Sequence, residues 1–210
     1  ELRLDGTLER FGLNMQAQLA GAWAGNQTAR IALAGQGNRQ GLALERIEAS
    51  NLLKGRLRGQ GHIGWTPAVS WDLALQGQGL DPGTLDPRWP GRLGFDLSTQ
   101  GSRSSEQLAA AVDLRSLKGQ LRGRPVQVRG ALEGAGSQWT LQRLDARSGQ
   151  ARLQAQGQWG PAVRLDANLR APDLSDLWPG ASGRVEASVR AEGAQDNPRL
   201  SLDGSARDVR

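Results

Sequence analysis

Cysteine and tyrosine are absent from this 210-residue chain, and histidine and methionine occur once each. The lack of cysteine excludes a disulfide framework and cysteine metal sites, and it leaves the redox compartment open. A single imidazole is too little for a metal cluster or a Ser/His/Asp arrangement, so we interpret His62 as a solvent-facing structural residue. We therefore predict a non-enzyme with no catalytic residue, no metal site and no cofactor.

Long apolar runs are also missing. No stretch approaches the roughly 18–20 apolar residues of a membrane-spanning helix, and no segment of the signal-peptide type opens the chain. Both ends fall inside strand-like patterns, at residues 2–6 and 200–204. We therefore expect residues 1–210 to be a fragment of a longer repetitive protein, with any membrane anchor outside it.

Lysine is scarce, and Lys54 and Lys118 are the only two. Arginine therefore provides most of the positive charge behind the formal net charge of +5. Nucleic-acid binding through phosphates would use such a charge. The arginines, however, alternate with Asp and Glu, and no basic run carries aromatic residues for base stacking. We predict no nucleic-acid partner. Anionic lipid headgroups are a better use for the charge, and a GC-rich genome would explain it without a function.

The dominant feature that is present is an alternation of apolar and polar residues with a period of two. It is typical of antiparallel strands with one wet and one apolar face, separated here by turns rich in Gly, Pro and Asp. Because only 38% of residues are hydrophobic and 29 are glycine, we expect a thin core. The alternation predicts strands near 2–8, 12–21, 28–36, 41–49, 53–63, 68–78, 92–101, 107–115, 118–123, 125–134, 137–146, 150–158, 162–171, 183–193 and 198–206.

Two stretches interrupt the alternation with a predicted helical turn. Asp81 and Asp173 are candidate N-caps, and Pro82 occupies the first helical position after Asp81. Each stretch continues into Trp-Pro-Gly, at residues 89–91 and 178–180. We expect each turn to end in a tryptophan that plugs one end of the sheet.

Other motifs have plain structural interpretations. The acid pairs Asp81/Asp86 and Asp173/Asp176 fit capping and turn formation better than acid/base chemistry. The glycine-rich segment 35–41 has the wrong spacing for a phosphate loop and predicts a hairpin turn.

The two interruptions also reveal an internal repeat, in which segment 55–101 aligns with segment 151–193. Within it, Pro67-Ala68-Val69 matches Pro161-Ala162-Val163. Duplicated sheet units that stack end to end make a rod rather than a globule.

Two stretches resemble a known family. One runs from residue 73 through Leu80-Asp81-Pro82 to Trp89-Pro90-Gly91-Arg92-Leu93-Gly94, and the other runs from residue 174 through Trp178-Pro179-Gly180 to residue 202. Polar–apolar strands broken by such turns are similar to TamB-like members of the AsmA-like group of envelope proteins. The resembling repeat covers about half of the chain.

The resemblance implies a periplasmic bridge in a Gram-negative bacterium, anchored in the inner membrane outside this fragment. It implies phospholipid movement between the membranes and support of outer-membrane biogenesis, with an outer-membrane β-barrel partner of the TamA type. No catalytic residue is carried over by the resemblance.

We expect an all-β fold, an elongated, curled antiparallel or mixed sheet of the β-taco type built from tandem repeats. Its concave apolar side would form a groove for phospholipid or another acyl-chain ligand. We predict that the groove is lined by Val69, Trp71, Leu73, Leu75, Leu93, Phe95, Leu97, Leu153, Val163, Leu165, Leu169, Val185 and Val189.

Two alternatives stay open. A chaperone-like scaffold could pair its open sheet edge with an outer-membrane protein or autotransporter strand. Seven tryptophans also fit a carbohydrate-binding β solenoid, although Trp71 lies in an apolar alternation, which favours packing.

Overall fold

The computed structural model describes residues 1–21, 27–105 and 107–210. In these residues the fold is all-β, as predicted: the strands form a single 14-stranded sheet. The strands are β1 (Leu2–Thr7), β2 (Arg10–Ala20), β3 (Thr28–Gly37), β4 (Gly41–Leu52), β5 (Gly55–Gly64), β6 (Val69–Leu80), β7 (Gly91–Arg103), β8 (Leu108–Leu121), β9 (Arg124–Ala135), β10 (Gln138–Ser148), β11 (Ala151–Trp159), β12 (Ala162–Ala171), β13 (Arg184–Ala194) and β14 (Asn197–Arg207).

The strand order in the sheet is the order in the chain, and every pairing is antiparallel. The sheet is open, because β1 and β14 lie at its two edges. Two 3-10 turns, at Pro82–Thr84 and Leu174–Asp176, occupy the predicted helical interruptions. No helix in the described ranges is long and apolar enough to span a membrane.

One strand prediction is wrong. The segments 107–115 and 118–123 were predicted as two strands, but the single strand β8 covers both. Leu114 and Leu117 pair with Gly130 and Val128 of β9, so a β-bulge absorbs the extra residue between them. The break in the alternation resembles a turn in the sequence and is an insertion within one strand in the structure.

Similar register shifts occur in several other strand pairs, at Leu44/Ile47, Gly77/Leu80 and Leu141/Leu144. A bulge bends its strand and increases the local right-handed twist. The open sheet with repeated bulges is consistent with a curled, groove-forming sheet.

The register brings apolar residues together on one face, since directly paired residues of antiparallel strands point to the same side. Leu75 pairs with Gly59 and Leu97, and Leu153 pairs with Ala146 and Leu169. Among the described residues, no large side chain is fully buried. The buried hydrophobic residues are Ala29, Leu44, Ala49, Ala151, Val163, Ala171 and Ala191.

Several glycines on this face make room for a large neighbour on the adjacent strand. A Cβ atom at Gly101 would overlap the indole ring of Trp71, and one at Gly77 would overlap the ring of Phe95. The side chains therefore lie flat across adjacent strands, which explains how a chain with 29 glycines builds a continuous apolar layer.

Two further local predictions agree with the structure. The glycine-rich segment forms the β3–β4 hairpin, in which the side-chain Oδ1 of Asn38 accepts hydrogen bonds from the backbone amides of Gln40 and Gly41. His62 is exposed on β5.

We predict that Gly101→Val lowers the free energy of unfolding by about 1–3 kcal/mol, the usual cost of overpacking, because the new side chain displaces the Trp71 ring. Urea denaturation followed by circular dichroism measures the change. Gly12→Val is the matched control, since the nearest atom to a Cβ there is a backbone oxygen at 3.9 Å. Equal losses at both positions would contradict the packing of Trp71 on Gly101.

Candidate functional site

The thirteen residues predicted to line a groove all lie on one face of the sheet, which we call the apolar face. In β6 and β7, Trp71 shares this face with Gly101, and Leu75 shares it with Leu97. In β11 to β13, Leu165 pairs with Gly157 and Ala191. The two groups connect through β8, β9 and β10, whose paired residues on the same side are also mainly apolar or glycine.

The thirteen predicted lining residues differ in how exposed they are. Val163 is 3% exposed, whereas Val69 and Val189 are 51% and 40% exposed. The other ten are half-buried. In the described part of the chain, no second layer of helices or strands covers the face. The apolar side chains are therefore shielded mainly by one another and remain accessible to a ligand, although their role as a lining stays a prediction.

The apolar face extends beyond the predicted set. Sequence reasoning named residues of β6, β7 and β11 to β13 and omitted the strands between and beside them. The same alternation was present there, so the signal existed. The omitted large residues of the face include Leu13, Leu33, Ile47, Ile63, Val112, Leu114, Leu132, Leu144 and Leu202.

The opposite face is polar and carries cross-strand ion pairs. Arg190 Nε lies 2.9 Å from a carboxylate oxygen of Asp166, and Arg170 Nε lies 3.2 Å from one of Glu186. An apolar ligand therefore has one suitable side. Trp71 belongs to that side, where its indole nitrogen donates to Thr99 Oγ1 at 3.1 Å and its ring covers Gly101. This arrangement packs the ring against the sheet and does not present it as a sugar platform.

The two long linkers both lie at the same end of the sheet. The first linker joins β6 to β7, and its Asp81 carboxylate accepts hydrogen bonds from the amides of Gly83 and Gly91, each at 2.9 Å. Lys54 Nζ lies 2.9 Å from the same carboxylate. The hydrogen bond from Lys54, followed by those from the backbone, lowers the pKa of Asp81 below its ordinary value. Asp81 is thus the predicted cap and also an anchor to the β4–β5 turn.

The second linker joins β12 to β13. It contains Asp176, the one buried charged residue among the described residues. Asp173 caps the 3-10 turn by accepting from the Ser175 amide at 2.9 Å. Asp176 is 3% exposed, pairs with the Arg124 guanidinium, and accepts from the Gln150 amide at 2.8 Å. Asp81 and Asp173 are therefore the predicted caps, and Asp86 bonds to Arg88 within its turn. The anchoring role of Asp176 was not predicted.

The linkers meet through their tryptophans. The Trp89 and Trp178 rings form an edge-to-face pair with centroids 5.6 Å apart, and the Arg122 guanidinium lies 5.5 Å from the Trp89 ring centroid. Six strand intervals separate the linkers, which is about 29 Å in a flat sheet. Both linkers therefore run along the strand ends towards each other. Trp178 stays 59% exposed, so the prediction that each tryptophan plugs the sheet end is wrong for this residue.

Sequence reasoning missed this connection between the linkers, which we call the linker brace and define by Arg122, Arg124, Asp176, Trp89 and Trp178. Arg124 and Asp176 are 52 residues apart, so no local pattern links them. Within the described ranges, no group of three or more His, Cys, Asp or Glu residues could hold a metal ion. The chemistry that the geometry offers is apolar binding on one face.

Comparison with known proteins gives two matches. A family model described as the TamB N-terminal domain matches residues 1–210. The translocation and assembly module subunit TamB of Haemophilus influenzae is 25% identical over 206 residues. That alignment covers 96% of this chain and 16% of the relative, so the chain spans a small part of the relative's length. No solved structure gives a significant match.

We predict that Asp176→Ala lowers the free energy of unfolding by about 3 kcal/mol, because it leaves the Arg124 guanidinium beside a vacated, water-poor site. Chemical denaturation measures this loss. Asp86→Ala is the control, since Asp86 pairs with Arg88 within the exposed first linker. If the two variants lost equal stability, Asp176 would not anchor the second linker.

A second prediction concerns pH. Because the pKa of Asp81 is lower in the folded protein than the ordinary 3.8, its contribution to stability is present above that value and is lost as the pH falls through the folded pKa. We expect Asp81→Asn to flatten the decline of unfolding free energy on acidification below about pH 4. Lys54→Gln should flatten it in the same way. Unchanged acid denaturation curves for both variants would contradict the pairing.

Proposed function

Since this chain belongs to the TamB family, whose N-terminal domain model spans its whole length, we propose that it is a non-catalytic part of an envelope-assembly protein that holds acyl chains on its apolar face. The named relative is a translocation and assembly module subunit from a Gram-negative bacterium. Family membership supports a role in outer-membrane assembly, and the open apolar face supports lipid as the ligand.

The observation that carries the proposal is the uncovered apolar face. Soluble proteins rarely leave a contiguous apolar patch larger than a few hundred Å² exposed, and a larger patch marks an interaction site. Here the patch crosses all 14 strands, and its members include half-buried Leu73, Leu97 and Leu165. A ligand that covers this face supplies the apolar partner that the described chain does not provide.

An acyl chain fits this requirement energetically. Each buried methylene contributes about 0.8 kcal/mol, so a chain of ordinary length gains on the order of 10 kcal/mol before the loss of motional freedom. A charged headgroup can stay in water at the margin of the open sheet, which avoids the cost of burying it.

Movement along the face follows from its uniformity. Neighbouring strands present similar side chains, such as Leu153, Leu169 and Ala187 in one row, so adjacent positions hold a chain about equally well. In this proposal the face carries phospholipid between the inner and outer membranes. The protein lies in the periplasm and has its inner-membrane anchor outside these 210 residues. The internal duplication of 55–101 in 151–193 would lengthen such a path.

The partner is proposed from the relative's name. A translocation and assembly module implies a second subunit, for which an outer-membrane β-barrel of the TamA type is the natural candidate. The chain covers 16% of its relative, so the other segments of the full protein are expected to continue the path to that partner.

A second candidate function rests on the sheet edges. Leu2 and Leu4 of β1 are 61% and 60% exposed, and Leu200 and Leu202 of β14 are 72% and 75% exposed. An edge beside exposed apolar residues can accept an added strand, which is either the next strand of the full-length protein or a strand of a client protein. In this alternative the chain is a scaffold for an outer-membrane protein strand.

Site-specific photo-crosslinking in cells separates the two functions. We expect crosslinkers at Leu97 and Leu165, on the apolar face, to capture phospholipid, and crosslinkers at Arg190 and Asp166, on the polar face, to capture none. Mass spectrometry of the adducts identifies the ligand. Protein adducts at Leu4 and Leu202 without lipid adducts at the central positions would favour the scaffold.

Leu165→Arg provides a functional test at one of these positions. The charge would lie among apolar neighbours at a cost of several kcal/mol if it does not reach water, so we expect less co-purifying phospholipid in native mass spectrometry. Arg164→Leu, on the neighbouring position of the same strand, is the control and should leave the bound lipid unchanged. Equal lipid content in all three proteins would contradict the proposal.

A further inference from the structure

The aromatic residues of the apolar face are concentrated at one level of the sheet. Successive strand pairs join four of them into a single row that crosses the face from β2 to β11. In the described strands, Phe95 is the one aromatic residue on this face that lies outside the row. We call the four the aromatic row, and they are Phe11, Trp71, Trp139 and Trp159.

The rings of the aromatic row lie flat on the sheet. The Trp139 ring lies over Gly134 in the same way that the Trp71 ring lies over Gly101, because a Cβ atom at either glycine would overlap the indole. Trp139 Nε1 donates a hydrogen bond to the Gly136 carbonyl oxygen at 3.0 Å. Each ring therefore has its N–H bonded within the sheet and its outer side turned away from the strands, where a ligand can contact it.

The aromatic row lies close to the end of the sheet opposite the linkers. We call this end the hairpin margin, and on β6, β7 and β8 it is formed by the directly paired Val69, Arg103 and Leu108. Val69 is 51% exposed and Leu108 is 43% exposed. Both lie two residues, or about 7 Å, outside the aromatic row. The row thus separates the continuous apolar surface from the water at the hairpin margin.

The strand pairs place two charged residues on the apolar face among the described residues, and they lie at opposite ends of it. Arg124 lies at the linker end, where the carboxylate of Asp176 neutralises it. Arg103 lies at the hairpin margin and is exposed. No carboxylate in the described ranges forms an ion pair with Arg103. The positive charge that this face offers to a ligand is therefore at the hairpin margin.

The linker end of the apolar face has less room for a polar group. The Ser148 side chain lies on this face, and its Oγ donates to the Asp176 backbone oxygen at 2.6 Å. The second linker therefore lies on the apolar side of the sheet at this end. Ala151 and Ala171, at the same end, are 1% and 0% exposed.

The parts of a phospholipid match these levels. Tryptophan favours the boundary between hydrocarbon and water, because its ring is apolar and its N–H is polar. An arginine guanidinium forms charge-assisted hydrogen bonds with phosphate oxygens. From Gly101 to Leu93, β7 runs for about 27 Å, which exceeds the roughly 15 Å of hydrocarbon in one leaflet of a bilayer.

We infer that a phospholipid binds the apolar face in one orientation, with its phosphate at Arg103, its glycerol at the aromatic row and its acyl chains directed along the strands towards the linker end. The inference rests on the proposed function and adds the direction of the lipid and the contact for its phosphate. The aromatic row extends over ten strands, so it can keep this orientation from β2 to β11, while Arg103 provides a phosphate contact at β7.

Site-specific quenching tests the orientation. The chain has no cysteine, so Val69→Cys and Leu93→Cys can each carry one fluorophore, at the hairpin margin and at the linker end. Phosphatidylcholine with a nitroxide on its headgroup should quench the label at position 69 several-fold more strongly than the label at position 93. A nitroxide near the end of an acyl chain should give the opposite order. Equal quenching of the two labels, or the reverse order, would overturn the inference.

The phosphate contact has its own test. Arg103→Gln should weaken phospholipid binding about tenfold, because a charge-assisted hydrogen bond is lost. Diacylglycerol with the same acyl chains has no phosphate, so its binding should not change. Arg129→Gln is the control, since it removes the same charge from the exposed polar face and should alter neither affinity. Displacement of a bound apolar fluorophore measures both affinities.

The two lipids separate this inference from the proposed function. If neither lipid bound the unaltered chain, the acyl-chain proposal would fail, and the orientation would fail with it. If both lipids bound and Arg103→Gln weakened them equally or not at all, the phosphate contact would be wrong while the acyl-chain proposal would stand.

Discussion

The structure depends on one constraint. In all 14 strands, the apolar residues of the alternation must fall on the same side of the sheet. A shift of one residue in any register would turn that strand's apolar side chains to the polar face. The bulges preserve the phase. In four strands the apolar face skips from Leu44 to Ile47, Gly77 to Leu80, Leu114 to Leu117 and Leu141 to Leu144, while the partner strand advances by two residues. The extra residue bends the strand and leaves the face continuous.

Much of this was accessible from the sequence, because period-two alternation determines both the strands and the side that each residue faces. The thirteen named residues share a face for this reason. The sequence did not reveal that a three-residue step between apolar positions, as at Leu114 and Leu117, is a bulge within a strand. A step of this kind combines the end of one alternation and the start of another, so it is indistinguishable from a short turn until the partner strand is known.

The linker brace was beyond sequence reasoning for a different reason. Capping by Asp81 and Asp173 is local and follows from residue type and spacing. The pairing of Arg124 with Asp176 and the contact of Trp89 with Trp178 depend on how far apart the strand ends lie after the whole sheet has formed.

In the described part of the chain no layer covers the apolar face, so the interactions that stabilise the fold are separate from the binding that we propose. The described sheet buries few large side chains, so its stability must come mainly from backbone pairing, from side chains that lie flat over glycines, and from the linker brace at one end. None of these interactions covers the outward surface of the apolar face. Filling that surface with a fixed core would stabilise the sheet and remove the surface that we propose for binding. An open apolar face beside a braced end therefore suits the proposed binding of apolar ligands, because these interactions hold the sheet together without a ligand.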